Sequence, residues 1–278
     1  MGRKIEITAV VFSLFALLSA CNGIIEERMD YPCMLTIDTG GGKHINAPVH
    51  LWILDANSGV CLFRDTINMQ MPSMEIEIMR TEKLQICAVA GISDNTRLQD
   101  DLSMDTCFEK KDGVPCDSLY FYSNIISTVS EFAADTIDLH KDHAKVKVSL
   151  EGAAAGIPIF IDLLFSSVGR YVDGEYVSGN GHISGIAPYR VSNDRMLYSC
   201  ILNRQESLED LRLLVYADMS PERYVINDFP LGEYLLEAGY DVAEPDMQDI
   251  EVSLDVALSL VTVTVGNWQN TVHVKVEL

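Results

Sequence analysis

The stretch Lys145-Val146-Lys147-Val148-Ser149-Leu150-Glu151 decides the fold class of this 278-residue chain. Its apolar residues alternate with polar ones, so that Val146, Val148 and Leu150 fall on one face of an extended strand. The same period of two recurs at 261–265 and 272–278. One buried face and one wet face are typical of antiparallel sheets that pack into sandwiches. We predict an all-β chain, with further strands at 34–37, 49–54, 74–78, 84–90, 119–122, 157–165 and 211–216.

A polar segment, Asp138-Leu139-His140-Lys141-Asp142-His143, divides this β pattern into two halves. Each half has the size of an ordinary sandwich domain. Within the first half, the long polar connection 91–118 is predicted to be either a decorated loop or a short-helix insert. We therefore expect four regions: a signal peptide at 1–20, an acidic tether at 21–32, an N-terminal β-sandwich at 33–140 and a C-terminal β-sandwich at 141–278.

The amino-terminal segment has the pattern of a secretory signal. Arg3 and Lys4 precede a mainly apolar run that ends at Leu18-Ser19-Ala20-Cys21. The run is too short for a membrane span, which needs about 20 apolar residues. Leu-Ser-Ala-Cys resembles the lipobox of bacterial lipoproteins, and this resemblance implies lipidation of the Cys21 thiol after cleavage before that residue. The alternative is an ordinary signal peptide with a cysteine close to its cleavage point.

The charge of the chain restricts its partners. Removing residues 1–20 takes away Arg3, Lys4 and Glu6, which changes the formal net charge from −21 to −22. Nucleic acids and anionic membrane surfaces attract positive patches, so a chain this acidic is not expected to bind nucleic acid.

Six cysteines remain beyond Cys21, and in an oxidising compartment they could form three disulfides. Cys107 and Cys116 flank a polar turn and are the first candidate pair. Cys87 lies inside an apolar run, which favours a buried free thiol.

Three groups of residues suggest chemistry, and each also has a structural interpretation. Leu35-Thr36-Ile37-Asp38-Thr39-Gly40 resembles an aspartic protease motif, but that chemistry needs two such motifs and the chain has one, so we expect a turn that ends a strand. Asp138, His140, Asp142 and His143 could suit zinc, yet no further ligand group stands at a recognisable spacing, which favours a solvated linker. Tyr120 and Tyr122 could stack on sugars.

No Gly-x-Ser-x-Gly nucleophile motif, phosphate-binding loop or calcium loop is present in the sequence. We therefore expect a protein without catalytic residues, cofactor or metal.

Several segments together resemble the fimbrial anchor lipoproteins of Bacteroidetes. The resemblance begins with Cys21 and the acidic tether and continues through Tyr31-Pro32-Cys33-Met34-Leu35-Thr36-Ile37-Asp38. Further matching segments are 84–91, 119–122, 135–139, 145–150 and Gly266-Asn267-Trp268. Val89 stands where the family usually has tryptophan. The resemblance implies two transthyretin-like β-sandwich domains on one lipid anchor, in the outer membrane and exposed at the cell surface.

The same resemblance implies a structural role at the base of a fimbria, through β-strand complementation with fimbrial subunits. The single basic residue in 22–34, Arg28, precedes the first strand, and the chain ends at Leu278 inside a predicted strand. Both features favour an end piece over a repeating stalk subunit. The alternative function is that of a surface glycan-binding lipoprotein in a polysaccharide-uptake system, whose partner would be a glycan.

Overall fold

A computed structural model describes residues 31–39, 45, 47–152, 158–192, 195–219, 222–255, 260–265 and 268–270. Cys21, most of the tether and the predicted strand at 272–278 lie outside these residues. Strands dominate the described part, as the sequence predicts, and it contains a single seven-residue helix. No helix in this part is long and apolar enough to cross a membrane.

The elements of the first half, in chain order, are β1 (Cys33–Asp38), β2 (Val49–Asp55), β3 (Cys61–Ile67), β4 (Ser73–Ile78), β5 (Leu84–Ala90), β6 (Thr96–Gln99), β7 (Cys107–Lys110), β8 (Tyr120–Ile126), β9 (Phe132–Thr136) and β10 (His140–Lys141). Those of the second half are β11 (His143–Glu151), β12 (Ile159–Tyr171), β13 (Tyr176–Ile186), β14 (Arg190–Val191), β15 (Arg195–Asn203), β16 (Arg212–Met219), β17 (Glu222–Phe229), α1 (Leu231–Glu237), β18 (Ile250–Asp255), β19 (Leu260–Val265) and β20 (Trp268–Asn270).

The first half is a sandwich of two sheets. One sheet has the strand order β4-β1-β9, and the other has the order β10-β8-β5-β2-β3. Alternating apolar residues of β1, such as Leu35 and Ile37, face the core between the sheets together with Leu51, Ile53 and Ile86. β5 is buried along its whole length because its second face is covered as well.

The second half is also a sandwich. Its first sheet has the order β14-β15-β11-β18-β19-β20, and its second has the order β17-β16-β12-β7-β6, with β13 on the other edge of β12. Val146, Val148 and Leu150 of the stretch that decides the fold class point into this core, as their alternation predicts. Their polar neighbours lie on the outer face, where the Lys147 ammonium pairs with the Glu251 carboxylate at 2.6 Å.

The segment 91–118 differs from both structures expected for it. It contributes an antiparallel hairpin, β6–β7, which joins a sheet of the second half. β12 is thirteen residues long and pairs first with β16 over 159–164 and then with β7 over 169–171. Because β6 and β7 are only four residues each, they gain stability from a partner strand that is distant in sequence. The predicted boundary between residues 140 and 141 stays a prediction.

The approach of β7 to β12 requires a glycine. A Cβ atom at Gly169 would lie 2.2 Å from the Phe108 carbonyl oxygen and 2.8 Å from the Glu109 Cα atom. Both neighbours are backbone atoms, which cannot move aside without separating the strands.

We expect Gly169→Ala to lower the free energy of unfolding by about 2 kcal/mol, because the added methyl group forces β7 away from β12. Urea denaturation followed by circular dichroism measures this change. Ser166→Ala, on the same strand, is the control and should change stability by less than about 0.5 kcal/mol. Equal effects of the two substitutions would contradict the close approach.

Candidate functional site

The structure separates the residues that the sequence singled out. Thr39 of the Asp-Thr-Gly motif is buried and its hydroxyl donates to the Met71 carbonyl, so the motif fastens the end of β1 to the segment before β4. Asp38 is exposed, and Gly40 lies outside the described residues.

The expectation of a solvated linker is wrong for half of the Asp138–His143 group. Asp142 and His143 are buried, whereas Asp138 and His140 remain near the surface. His140 Nε2 lies 3.8 Å from Asp138 Oδ2, and its Nδ1 lies 3.6 Å from Asp246 Oδ1. Within the described ranges, no group of three or more His, Cys, Asp or Glu side chains could hold a metal ion.

All six described cysteines are free thiols, so the Cys107–Cys116 disulfide is a wrong expectation. Cys107 begins β7 and pairs with Tyr171, while the Cys116 N–H donates to the Ile201 carbonyl at 3.0 Å. The two residues therefore belong to different strand contacts. Burial raises the pKa of Cys107 to about 11 and that of Cys116 to about 12. Cys87 is buried and free, as predicted.

The aromatic residues offer little platform for a sugar. Tyr120 and Tyr122 are half-buried, and the Tyr122 hydroxyl donates to Asp135 Oδ2 at 2.7 Å. Trp52 is completely buried in the core. The side chain of Trp268 and all of His273 lie outside what the structure describes.

The structure instead brings together residues at the junction of the two halves. An apolar cluster forms where the outer face of the β5 sheet meets β7 and the end of β12. Its members are Trp52, Leu54, Cys87, Val89, Phe108, Leu119, Phe121 and Val172. Phe108 and Val172 thus cover the second face of β5, which explains why the run Leu84-Gln85-Ile86-Cys87-Ala88-Val89-Ala90 is apolar without alternation.

A buried ion pair lies beside this cluster. The Arg204 Nε donates to Asp142 Oδ1 at 2.8 Å, and Arg170 Nη1 lies 3.5 Å from the same oxygen. Burial raises the pKa of the Asp142 carboxyl, and the two arginines oppose that rise. The remaining donors of the Arg204 guanidinium reach backbone carbonyls at 2.6–3.3 Å, those of Lys141, Val242, Glu244 and Pro245.

Arg170 links both halves through its flat guanidinium group. Its central carbon lies 4.7 Å from the ring centre of Phe121 on β8 and 4.5 Å from that of Tyr176 on β13. Its Nη2 also donates to the Tyr176 hydroxyl at 2.7 Å. Partly desolvated stacking of this kind is favourable and restricts the orientation of the arginine.

His143 occupies the same junction. Its Nδ1 lies 2.8 Å from the Leu119 carbonyl, and its ring contacts Tyr120 edge to face at 5.4 Å between centroids. Burial is the main reason that the pKa of His143 is lowered, so the folded protein favours the neutral ring. In that ring the Nδ1–H group donates to the Leu119 carbonyl.

A second candidate for function is the edge strand β17, which has eight residues and one neighbouring strand, β16, among the described elements. Its residues from Glu222 to Val225 are all exposed. The Asp218 N–H donates to the Pro158 carbonyl at 3.1 Å, so the backbone of Asp218 faces away from β17 and that of Ala217 faces β17. Tyr224 is the partner of Ala217, so its N–H and C=O groups face β16. Successive residues of a strand direct these groups to opposite sides, so those of Arg223 and Val225 point outward.

This arrangement of sandwiches is known in solved structures. The fimbrial anchor protein Mfa2 from Porphyromonas gingivalis superposes with a TM-score of 0.68 at 12% identity, over 87% of this chain and 100% of that one. The chain has the fold of a fimbrial anchor protein. A candidate adhesin from Bacteroides ovatus gives a TM-score of 0.61 at 13% identity, over 87% of this chain and 96% of that one.

A candidate adhesin from Bacteroides thetaiotaomicron gives a TM-score of 0.60 at 12% identity, over 88% of this chain and 99% of that one. No protein-family model matches the chain, and no curated protein matches it. The resemblance predicted from the sequence is therefore confirmed at the level of the fold. The proteins that share this fold are described as a fimbrial anchor and candidate adhesins.

We expect Arg204→Met to lower the free energy of unfolding by about 3–5 kcal/mol, because it leaves the buried Asp142 carboxylate without its closest partner. Arg212→Met is the matched control, since Arg212 pairs with Asp228 at the exposed surface and should contribute less than about 1 kcal/mol. Urea denaturation of both variants measures the difference. A loss at Arg204 no larger than that at Arg212 would contradict a stabilising junction.

We expect stability to fall as the pH is lowered below 6.5, the ordinary pKa of histidine, because the depressed pKa of His143 lets the unfolded chain take up a proton more readily. The contribution is complete above this pH and is lost as the pH falls through the folded-state pKa. His143→Asn should weaken the dependence between pH 7 and pH 5, measured by urea denaturation at each pH. His140→Asn is the control and should leave this pH dependence of stability unchanged.

Proposed function

We propose that the chain is a lipid-anchored, non-enzymatic protein of the cell surface that anchors or caps the base of a fimbria through β-strand complementation with fimbrial subunits. The observation that carries this proposal is the fold shared with a fimbrial anchor protein, which superposes over 87% of this chain and 100% of that one. The lipobox supplies the attachment, with the Cys21 thiol bonded to diacylglycerol in the outer membrane. The regions 33–140 and 141–278 act as the two tandem domains.

The open edge of β17 fits the role of a binding site for a fimbrial strand. It is an eight-residue strand at a sheet edge, and its outward backbone groups can pair with an added strand. The longer edge strand β13 is partly covered by backbone hydrogen bonds to Gly113. Tyr224 and Val225 are exposed and offer apolar contacts to alternate side chains of that strand. β3, a competing edge strand, is partly covered, because the Cys61 N–H donates to the Leu102 carbonyl.

The junction suits a protein that carries load. Force between a lipid at the amino terminus and a fibre bound to the C-terminal half has to pass through the contact between the halves. That contact includes a shared sheet, an apolar cluster and the buried Asp142–Arg204 pair. Two consecutive hydrogen bonds add to this contact. The Gln85 amide donates to the Ser123 hydroxyl at 2.7 Å, and that hydroxyl donates to the Asp173 carbonyl at 3.1 Å.

The test uses the native lipoprotein, extracted with mild detergent from outer membranes and affinity-purified with its partners. We expect fimbrial subunits to copurify, with this chain at one end of the fibre in negative-stain images. Val225→Pro should remove most of the copurified subunit, because proline lacks the outward N–H donor. Val225→Thr keeps that donor and is the control, which should retain the subunit.

Copurification that survives Val225→Pro in full would place strand addition elsewhere than β17. If glycan-uptake proteins or polysaccharide copurify in place of fimbrial subunits, the anchor proposal fails. Mass spectrometry of the amino-terminal peptide tests the attachment separately, since a diacylglycerol-modified Cys21 is expected and an unmodified peptide would contradict it.

A further inference from the structure

Exposed apolar side chains gather at one end of the N-terminal half, the end at which β1 begins. Among the described residues, seven of the thirteen exposed large hydrophobic residues lie there. They are Tyr31, Val60, Met79, Leu102, Ile125, Val129 and Phe132. Phe132 and Met79 are the most exposed, at 75% and 74%. Single exposed apolar residues are ordinary on a protein surface, but a concentration of them marks an interaction site.

Strand register places Tyr31, Met79 and Phe132 together. Cys33, the first residue of β1, pairs with Ile78, so Met79 follows at the level of the residues that precede β1. On the other side of β1, Met34 pairs with Phe132. These three residues therefore lie around the point at which the chain enters the first sandwich.

Loop contacts bring the other members to the same end. The Thr81 N–H donates to the Thr128 hydroxyl at 3.0 Å, and the Thr128 N–H donates to the Thr81 carbonyl at 3.0 Å, which holds the loop at 79–83 against the loop at 127–131. Val129 belongs to the second loop, and Ile125 lies near the end of β8 that precedes it.

Val60 and Leu102 extend this surface across the turn between β2 and β3. Val60 forms a bridge with Ser103, and the Ala56 N–H donates to the Lys83 carbonyl at 3.0 Å. The C-terminal half joins at the opposite end of β8, where Tyr120 pairs with Lys141. The apolar end therefore lies opposite the point at which the chain passes from one half to the other.

We propose that this apolar end rests on the lipid bilayer that holds Cys21. This inference depends on the lipid attachment in the proposed function. Ten residue steps separate Cys21 from Tyr31, so a fully extended tether is at most about 35 Å long and keeps the apolar end close to the bilayer. A short tether raises the local concentration of lipid at this surface, so that modest apolar contacts are enough for docking.

The charges at this end indicate which lipids it fits. The charged residues at this end are mostly acidic, with Arg80 and Lys83 against Glu77, Glu82, Asp101 and Glu131. Among the described residues of this end no basic cluster attracts anionic headgroups, so docking depends on inserted apolar side chains. A zwitterionic surface such as phosphatidylcholine therefore suits it better than an anionic one.

The test supplies the tether independently of natural lipidation. The chain from residue 22 onward, with an amino-terminal hexahistidine tag, is bound to phosphatidylcholine vesicles that contain a nickel-chelating lipid, and backbone hydrogen exchange is measured by mass spectrometry. We expect exchange in 79–83 and 127–131 to slow by about fivefold or more on the vesicles relative to the free protein. Met79→Ser/Val129→Ser/Phe132→Ser should abolish this protection, whereas the control Tyr224→Ser/Val225→Ser should retain it.

Unchanged exchange of both loops on the vesicles would overturn the docking proposal. Protection that appears without vesicles and grows with protein concentration would also overturn it, and would assign the surface to a second copy of this chain. Neither outcome affects the lipid attachment, which the mass of the native amino-terminal peptide tests by itself.

Discussion

A carboxylate buried where the two halves meet constrains the rest of this structure. An unpaired charge at Asp142 would be severely destabilising, so the arginines around it have to be held in place. Arg204 meets this need and fixes the backbone from Val242 to Pro245 through its remaining donors. Arg170, stacked between Phe121 and Tyr176, connects the same carboxylate to one strand from each half. The relative position of the halves follows from these contacts.

The backbone reinforces this side-chain network. β12 continues past its partner β16 and pairs with β7, which the chain contributes before it reaches the second sandwich. Gly169 allows the two backbones to come close, and Phe108 then reaches the outer face of the β5 sheet. The hairpin β6–β7 is therefore part of the sheet of one half and of the apolar cover of the other, which explains how a polar connection can become a structural link.

The surfaces outside the junction differ in chemistry. The far end of the N-terminal half concentrates exposed apolar side chains, and the C-terminal half presents a long strand edge with outward backbone groups. A chain attached to lipid at one end and to a strand-donating partner at the other would need this polarity. An identity of 12–13% is compatible with a shared sandwich fold, because burial and alternation decide whether a position is apolar or polar and leave the particular residue free to vary.

The sequence by itself determined the all-β class and the strands with clean alternation, because a period of two depends only on which face of a strand is wet. It also determined that Cys87 is buried, because an unbroken apolar run is stable only when both faces of its strand are covered. It also predicted the resemblance to fimbrial anchors, which the fold confirms. Only the tertiary structure decided that 96–110 forms a hairpin, that Cys107 and Cys116 stay apart, and that Asp142 and His143 are buried. These outcomes depend on partners such as Arg204 and Tyr171, tens of residues away, and local sequence carries no signal for contacts at that separation.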